Sequence, residues 1–204
     1  MKQRHVDSFA PEMAAVVEAV APLLREAGFR KRRHVFNRRA SEPGLTHLVE
    51  FQMGQVWGHH GRFVIAFGYD AAEVRAARRE PPKDFITAPY ATVCTRVSGK
   101  DGLERWFDLA WSNEDLVEEV TQVLREEVLP RLDPLQTRRA ILDRRDGGRL
   151  DCGELWAAAM LHHLGDQGEA QRELLRLYEK ADESTRGRIR PFAKSAFGVE
   201  LPAL

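Results

Sequence analysis

The stretch RFVIAFGY, residues 62–69, constrains this chain more than any other. Phe63, Ile65, Phe67 and Tyr69 alternate there with Arg62, Val64, Ala66 and Gly68, and a period of two puts four large side chains on one side of an extended strand. A helix would scatter them around its axis. HLVEFQM, residues 47–53, repeats the pattern, with His47, Val49, Phe51 and Met53 on one side and Leu48, Glu50 and Gln52 on the other. Two such neighbours demand a sheet with one buried face. Strands are predicted over 30–39, 46–53 and 62–69 as an antiparallel meander, because SEPG and GQVWGHHG between them carry the residues of turns. YATVCTRVS (90–98) and RWFDLAW (105–111), rich in β-branched and aromatic residues, bring the sheet to about five strands.

Something must cover the apolar face, and two helices are available. Over residues 8–27, Met13, Val16, Val17, Val20, Leu23 and Leu24 recur at helical spacing; Ser8 can cap the start, and Gly28 suits the left-handed position after the end. Pro22 removes a backbone donor and predicts a kink or break. Over 113–129, Leu116, Val120, Val123, Leu124 and Val128 form a stripe that stops at Pro130, and Ser112 with Asp115 resembles a capping box. Between the third and fourth strands, Ala71 to Arg79 is a short helix ended by Pro81 and Pro82. After residue 135 the pattern is wholly helical, with a Gly-Gly turn and then two amphipathic stretches joined at Gly165-Asp166. The expected fold class is α+β: an N-terminal helix packed on an antiparallel sheet of about five strands, followed by an all-helical C-terminal extension. Residues 1–135 form the α+β domain and 136–204 a helical extension with one hairpin.

Composition narrows the class. Hydrophobic residues make up 43% and charged residues 30% of the 204, values of a globular chain rather than a disordered or membrane-spanning one. Glu12 and Glu18 interrupt the apolar N-terminal stretch, so it does not read as a signal peptide, and a cytoplasmic protein is expected. Cys94 and Cys152 form no CxxC pair, and no metal or cofactor signature is present. The net charge is zero but unevenly spread: residues 1–100 carry 16 Lys/Arg against 10 Asp/Glu, residues 101–204 carry 15 against 21. The two halves are expected to face each other and partly neutralise.

Four features carry chemistry. GFRKRRHVFNRR (28–39) holds six Lys/Arg, enough for a phosphate backbone if the cations share a side. As one regular strand, Arg30, Arg32, His34, Phe36 and Arg38 would take one face and Lys31, Arg33, Val35, Asn37 and Arg39 the other, which divides the charge. Phe29 and Phe36 then fall on opposite faces, so burying both requires a bulge or turn near Lys31 to Arg33. A charged edge strand that deters sheet-to-sheet association accounts for the same residues. Glu50 and Gln52 share a face, as in the Glu-x-Lys/Gln strand of metal-dependent nucleases, but no Lys takes the second position and the acidic partners that a divalent cation needs are missing. His59 and His60 sit beside Trp57 in a Gly-bounded loop, where a polar and aromatic tip can touch a partner; adjacent histidines, including His162 and His163, diverge too far to chelate. Glu104 and Asp108, four apart, can share a face.

The order of LLREAGFRKRRHVFNRR, THLVEFQMG, GRFVIAFGY and RWFDLAW with the helix after it resembles the bacterial family catalogued as domain of unknown function 4304, over roughly residues 10–135. The resemblance implies a fold and no activity. LGDQGEAQRELL, with Ala170 at a close helix contact, resembles a single tetratricopeptide unit, too few to form a repeat array. The leading functional expectation is a non-catalytic binding protein, a toxin-neutralising immunity partner being one form. It would engage another protein through the tip around Trp57 or through the C-terminal helices, away from any membrane. The competing expectation is a nucleic-acid-binding or nucleic-acid-processing protein using Arg30, Arg32, Glu50 and Gln52.

Overall fold

The computed structural model describes residues 9–54, 59–111, 113–144 and 150–201. Helix α1 (Ala10–Glu26) leads into β1 (Arg30–Arg32), β2 (Val35–Arg39), β3 (Leu45–Met53) and β4 (Arg62–Ala71); α2 (Ala72–Ala77), β5 (Val93–Arg96) and β6 (Phe107–Asp108) follow. The sheet runs β1-β2-β3-β4-β5, antiparallel throughout, and the two-residue β6 pairs with β4 at Arg62 and Phe63. The predicted fifth strand is therefore a short continuation of the β5 edge. Between them the chain leaves the edge, turns through Gly99 to Gly102 and returns by a bridge between Ser98 and Glu104.

The register shows why one face is dry. Lys31, Phe36, Val49, Phe67 and Thr95 form one row across five strands, and the adjacent rows belong to the other face. Phe36, Val49, Phe51, Phe63, Ile65, Phe67 and Phe107 pack beneath Met13, Val16, Val17, Val20 and Leu24 of α1 and Leu116, Val120 and Val123 of α3 (Asn113–Val123) in one cluster. At the end of α1 the Phe29 N–H reaches Leu24 O (2.9 Å) and the Gly28 N–H reaches Arg25 O (2.9 Å). That paired closure needs a left-handed residue, and Gly28 has φ +86°. The helix continues through Pro22 as one element. Ser8, expected to cap it, lies outside the described residues, as do Ser112 and the Gly-Gly turn.

Two expectations are corrected. The basic stretch is not one strand: β1 and β2 form a hairpin closed by Arg33 and His34, with Arg33 at φ +57°. The turn lets Phe29 and Phe36 both be buried, and it moves Arg30 and Arg32 away from the face of Phe36. The helix from Asn113 does not stop at Pro130 either. It passes through a π-helical turn (Leu124–Val128) into α4 (Leu129–Leu132), a widened turn that accommodates the missing N–H and the ring of Pro130.

A second cluster joins Leu45, Tyr69, Ala71 and Val74 to the C-terminal helices α5 (Arg138–Asp143), α6 (Gly153–His163), α7 (Gln167–Lys180) and α8 (Glu183–Phe197). The α6–α7 hairpin turns at Gly165, as its sequence predicts, and packs against α2. Arg138, 1% exposed, locks the joint: its guanidinium donates to both Glu73 oxygens (2.8 and 2.7 Å) and to Pro43 O (3.0 Å), and it pairs with Glu42 (3.0 Å). A planar fork suits that bidentate contact. Other pairs between the chain's halves run from base to acid, as the uneven charge predicts: Arg38 with Asp133 (2.8 Å), Arg62 with Asp108 (3.1 Å) and Arg96 with Glu104 (2.7 Å). Among the described residues no helix is long and apolar enough to cross a membrane.

Candidate functional site on the open sheet face

Opposite the helices, the sheet carries polar side chains in registered rows. Arg32, Val35, Glu50, Ala66 and Arg96 form one row, and Arg30, Asn37, Leu48, Gly68 and Cys94 the next; Gln52 pairs with Val64 beyond them. Four of the residues singled out from the sequence, Arg30, Arg32, Glu50 and Gln52, therefore share this face. Trp57 lies outside the described residues. His59 stacks on Trp106, with ring centroids 4.0 Å apart, and His60 is exposed beside it. Trp111, 59% exposed, lies in the loop that follows β6.

The segment between α2 and β5 folds back over part of this face. Asn37 fastens it: the side-chain amide donates to Ile86 O (2.9 Å) while the Ile86 N–H donates to Asn37 Oδ1 (2.6 Å). Glu50 fastens it a second time, accepting from the Ala88 N–H at 2.6 Å. Leu48, Ile86 and Ala91 then form a small buried cluster. Gly68 is required here, because a Cβ at that position would meet Val93 O at 2.0 Å. Glu50 is thus committed to holding backbone, and among the described residues no three His, Cys, Asp or Glu side chains converge as a metal site would require.

The rest of the face is a cleft of about 470 Å³, whose walls include Ala88 and Pro89 on one side and Arg96 and Glu104 on another, with Gln52, Ala66 and Cys94 in its floor. Gln52 Oε1 accepts from Arg96 Nε (3.3 Å) and Nη2 (3.1 Å), and Arg96 Nη1 donates to Glu104 (2.7 Å). Burial pushes the Cys94 thiol up to about 12, so it is a weak nucleophile. Glu104 and Asp108 do not act as an acid pair, since each is held by its own arginine.

At the other end of the row, Arg30, Arg32 and Arg33 are exposed and pair with no carboxylate among the described residues. Lys31 and Arg38, on the helix-packed face, are engaged. Lys31 bonds Glu18 of α1; Arg38 lies over the Phe29 ring (4.7 Å) and donates to Ala27 O (3.1 Å). The His34 ring at the tip has its pKa lowered by burial and by the neighbouring Lys31 and Arg33 charges.

The model of a family described as a domain of unknown function, DUF4304, matches residues 20–134, more than half of the chain. The chain belongs to the DUF4304 family. The DUF4304 match covers the whole sheet, the C-terminal part of α1 and all of α3, and it stops before α5 and the α6–α7 hairpin. No curated protein and no solved structure matches the chain.

The sequence reading missed Arg96, Asn37 and Trp106. Arg96 had a usable signal, since it alternates with Cys94 in a β-rich run. The role of Asn37 depends on a chain reversal 49 residues away, which no local pattern encodes.

Proposed function

We propose that this member of the DUF4304 family is a non-catalytic cytoplasmic binding protein whose open sheet face docks an acidic segment of a partner protein. The observation that carries this reading is the corner formed by Arg30, Arg32 and Arg33, exposed and without ion-pair partners among the described residues. Unpaired cations raise the association rate and select acidic partners. A toxin-neutralising immunity protein is one form such a binder takes. Nucleic acid is the weaker alternative: single strands are held by cations together with stacking aromatics, whereas Phe29 and Phe36 are both buried.

The test compares the wild-type protein with the Arg30→Glu, Arg32→Glu, Arg33→Glu triple variant as bait in a native lysate. Wild type is expected to retain one protein stoichiometrically, resistant to nuclease, and the triple variant to lose it. Equal retention by both baits, or retention abolished by nuclease, sinks the reading.

A further inference from the structure

Arg96 and Glu104 form a contact whose parts differ in how firmly they are held. Gln52 Oε1 receives both Nε and Nη2 of Arg96 (3.3 and 3.1 Å), which fixes the guanidinium plane from the floor of the cleft. Glu104 approaches from the excursion between β5 and β6. Its side chain is 44% exposed and Leu103 beside it is 68% exposed. The excursion turns at Gly102, with φ +79°. A half-exposed carboxylate, on a residue whose backbone is bridged to Ser98 and whose side chain has Arg96 as its ion-pair partner among the described residues, thus occupies one donor of an arginine held from the sheet by Gln52, inside a cleft large enough for several side-chain atoms.

We infer that Glu104 is an internal placeholder and that Arg96 is the carboxylate-binding residue of the cleft, taking an acidic side chain of the docked partner when Glu104 swings away. The inference rests on the docking reading above and adds its recognition step. Three features support the exchange. An arginine fork binds carboxylates with defined geometry. Gln52 holds the guanidinium in place whichever carboxylate is bound, so the site is pre-organised. Glu50, the other acid of the row, is bonded to the Ala88 N–H, which leaves Glu104 as the carboxylate that a ligand displaces. Arg32 lies on the same cross-strand row but beyond the segment that Glu50 holds at Ala88, so a partner meets Arg96 and the hairpin corner as two separate contacts.

A fluorescently labelled hexaglutamate peptide, titrated against the full chain at low ionic strength and followed by anisotropy, tests this. Glu104→Gln is expected to tighten binding about tenfold, because the competitor is gone. Asp101→Asn, which removes an equal charge from the same excursion, is expected to change it less than about twofold. Arg96→Gln is expected to weaken binding about tenfold, and in the Arg96→Gln, Glu104→Gln double variant the gain from Glu104→Gln disappears. The inference is overturned by absence of peptide binding, by equal effects of Glu104→Gln and Asp101→Asn, or by a gain that survives loss of Arg96. It is also overturned if mixed-sequence single-stranded RNA binds with the same Arg96–Glu104 coupling, which would assign the cleft to phosphate. The docking reading fails separately, if the triple hairpin variant binds the peptide as wild type does while the coupling persists.

Discussion

The two faces of the sheet are built from the same strands, yet they obey different rules. Beneath α1 and α3, Phe36, Val49, Phe51, Phe63, Ile65 and Phe67 touch apolar neighbours on every side. On the reverse, Asn37, Glu50, Gln52 and Arg96 each hold a named partner by a directed hydrogen bond. The first face fixes the fold through volume and burial. The second fixes the position of one covering segment and leaves three arginines without ion pairs among the described residues and a cleft open, so at its exposed positions substitution costs little stability.

The largest expected difference comes from truncating one residue per face. Phe67→Ala is expected to destabilise the protein by about 4 kcal/mol, from lost burial plus a cavity that rigid neighbours cannot close. Gln52→Ala, three rows away on the opposite face, is expected to cost within about 0.5 kcal/mol, as changes on partly exposed polar surface do. Denaturant unfolding of the two variants checks both numbers, and similar losses would end the distinction.

That contrast also explains what could be read in advance. The helix-packed face was legible because alternation over residues 47–53 and 62–69 reports burial directly. The open face was legible only in part: Arg30, Arg32, Glu50 and Gln52 were named from their spacing, but their shared face depends on the Arg33-His34 turn. As a single strand, the basic stretch would put Arg30 and Arg32 on the face of Phe36. A two-residue reversal moves them to the other, a change of parity that composition does not reveal. Arg138 left no signal at all, because its partners Glu42 and Glu73 meet it only through tertiary packing.

Each face also buries a group that titrates between pH 4 and 7, His47 on one and Asp70 on the other, and the two act in opposite directions. On the helix-packed side His47 is fully buried, and burial lowers its pKa to about 4 although its Nε2–H reaches Leu135 O at 2.7 Å. On the reverse, burial raises Asp70 to about 6 even with Arg75 at 2.7 Å. As pH falls from the ordinary histidine value of about 6.5 towards 4, the unfolded chain takes up a proton at His47 first, and stability falls by about 3 kcal/mol. Below pH 6 the folded chain takes up a proton at Asp70 first, and stability rises by a similar amount, about 3 kcal/mol, before levelling near 3.8. In the wild type these nearly cancel. Asp70→Asn is expected to expose a loss of stability as pH falls from 6 to 4, and His47→Gln a gain, where the wild type is nearly flat. Unfolding free energies measured across that window decide it; parallel curves for all three proteins would show that neither group is coupled to folding.

A smaller effect is expected where the open face is covered. Asn37→Ala removes both bonds to Ile86 and leaves that backbone without its strand-like partner. The cost is about 1–2 kcal/mol. The more specific readout is hydrogen exchange, which is expected to accelerate at the Ile86 and Ala88 amides and remain unchanged at Val49 and Phe67. Uniform acceleration would mean that the covering segment belongs to the same cooperative unit as the core.

The smallest expected effect has the opposite sign. Arg33 and Arg79 are the non-glycine residues with positive φ among the described ones, at +57° and +59°. Arg33 sits at the tip of the β1–β2 hairpin, at the first position of a two-residue turn that glycine suits best. An L-residue there is strained by about 1–2 kcal/mol, of which glycine's greater freedom in the unfolded chain offsets roughly half. Arg33→Gly is therefore expected to raise stability by a few tenths to about 1 kcal/mol while weakening hexaglutamate binding. A gain of stability joined to a loss of binding means that the guanidinium serves a partner at the expense of the fold. A loss of stability instead means that the guanidinium is used within the fold, and the docking corner then keeps only Arg30 and Arg32.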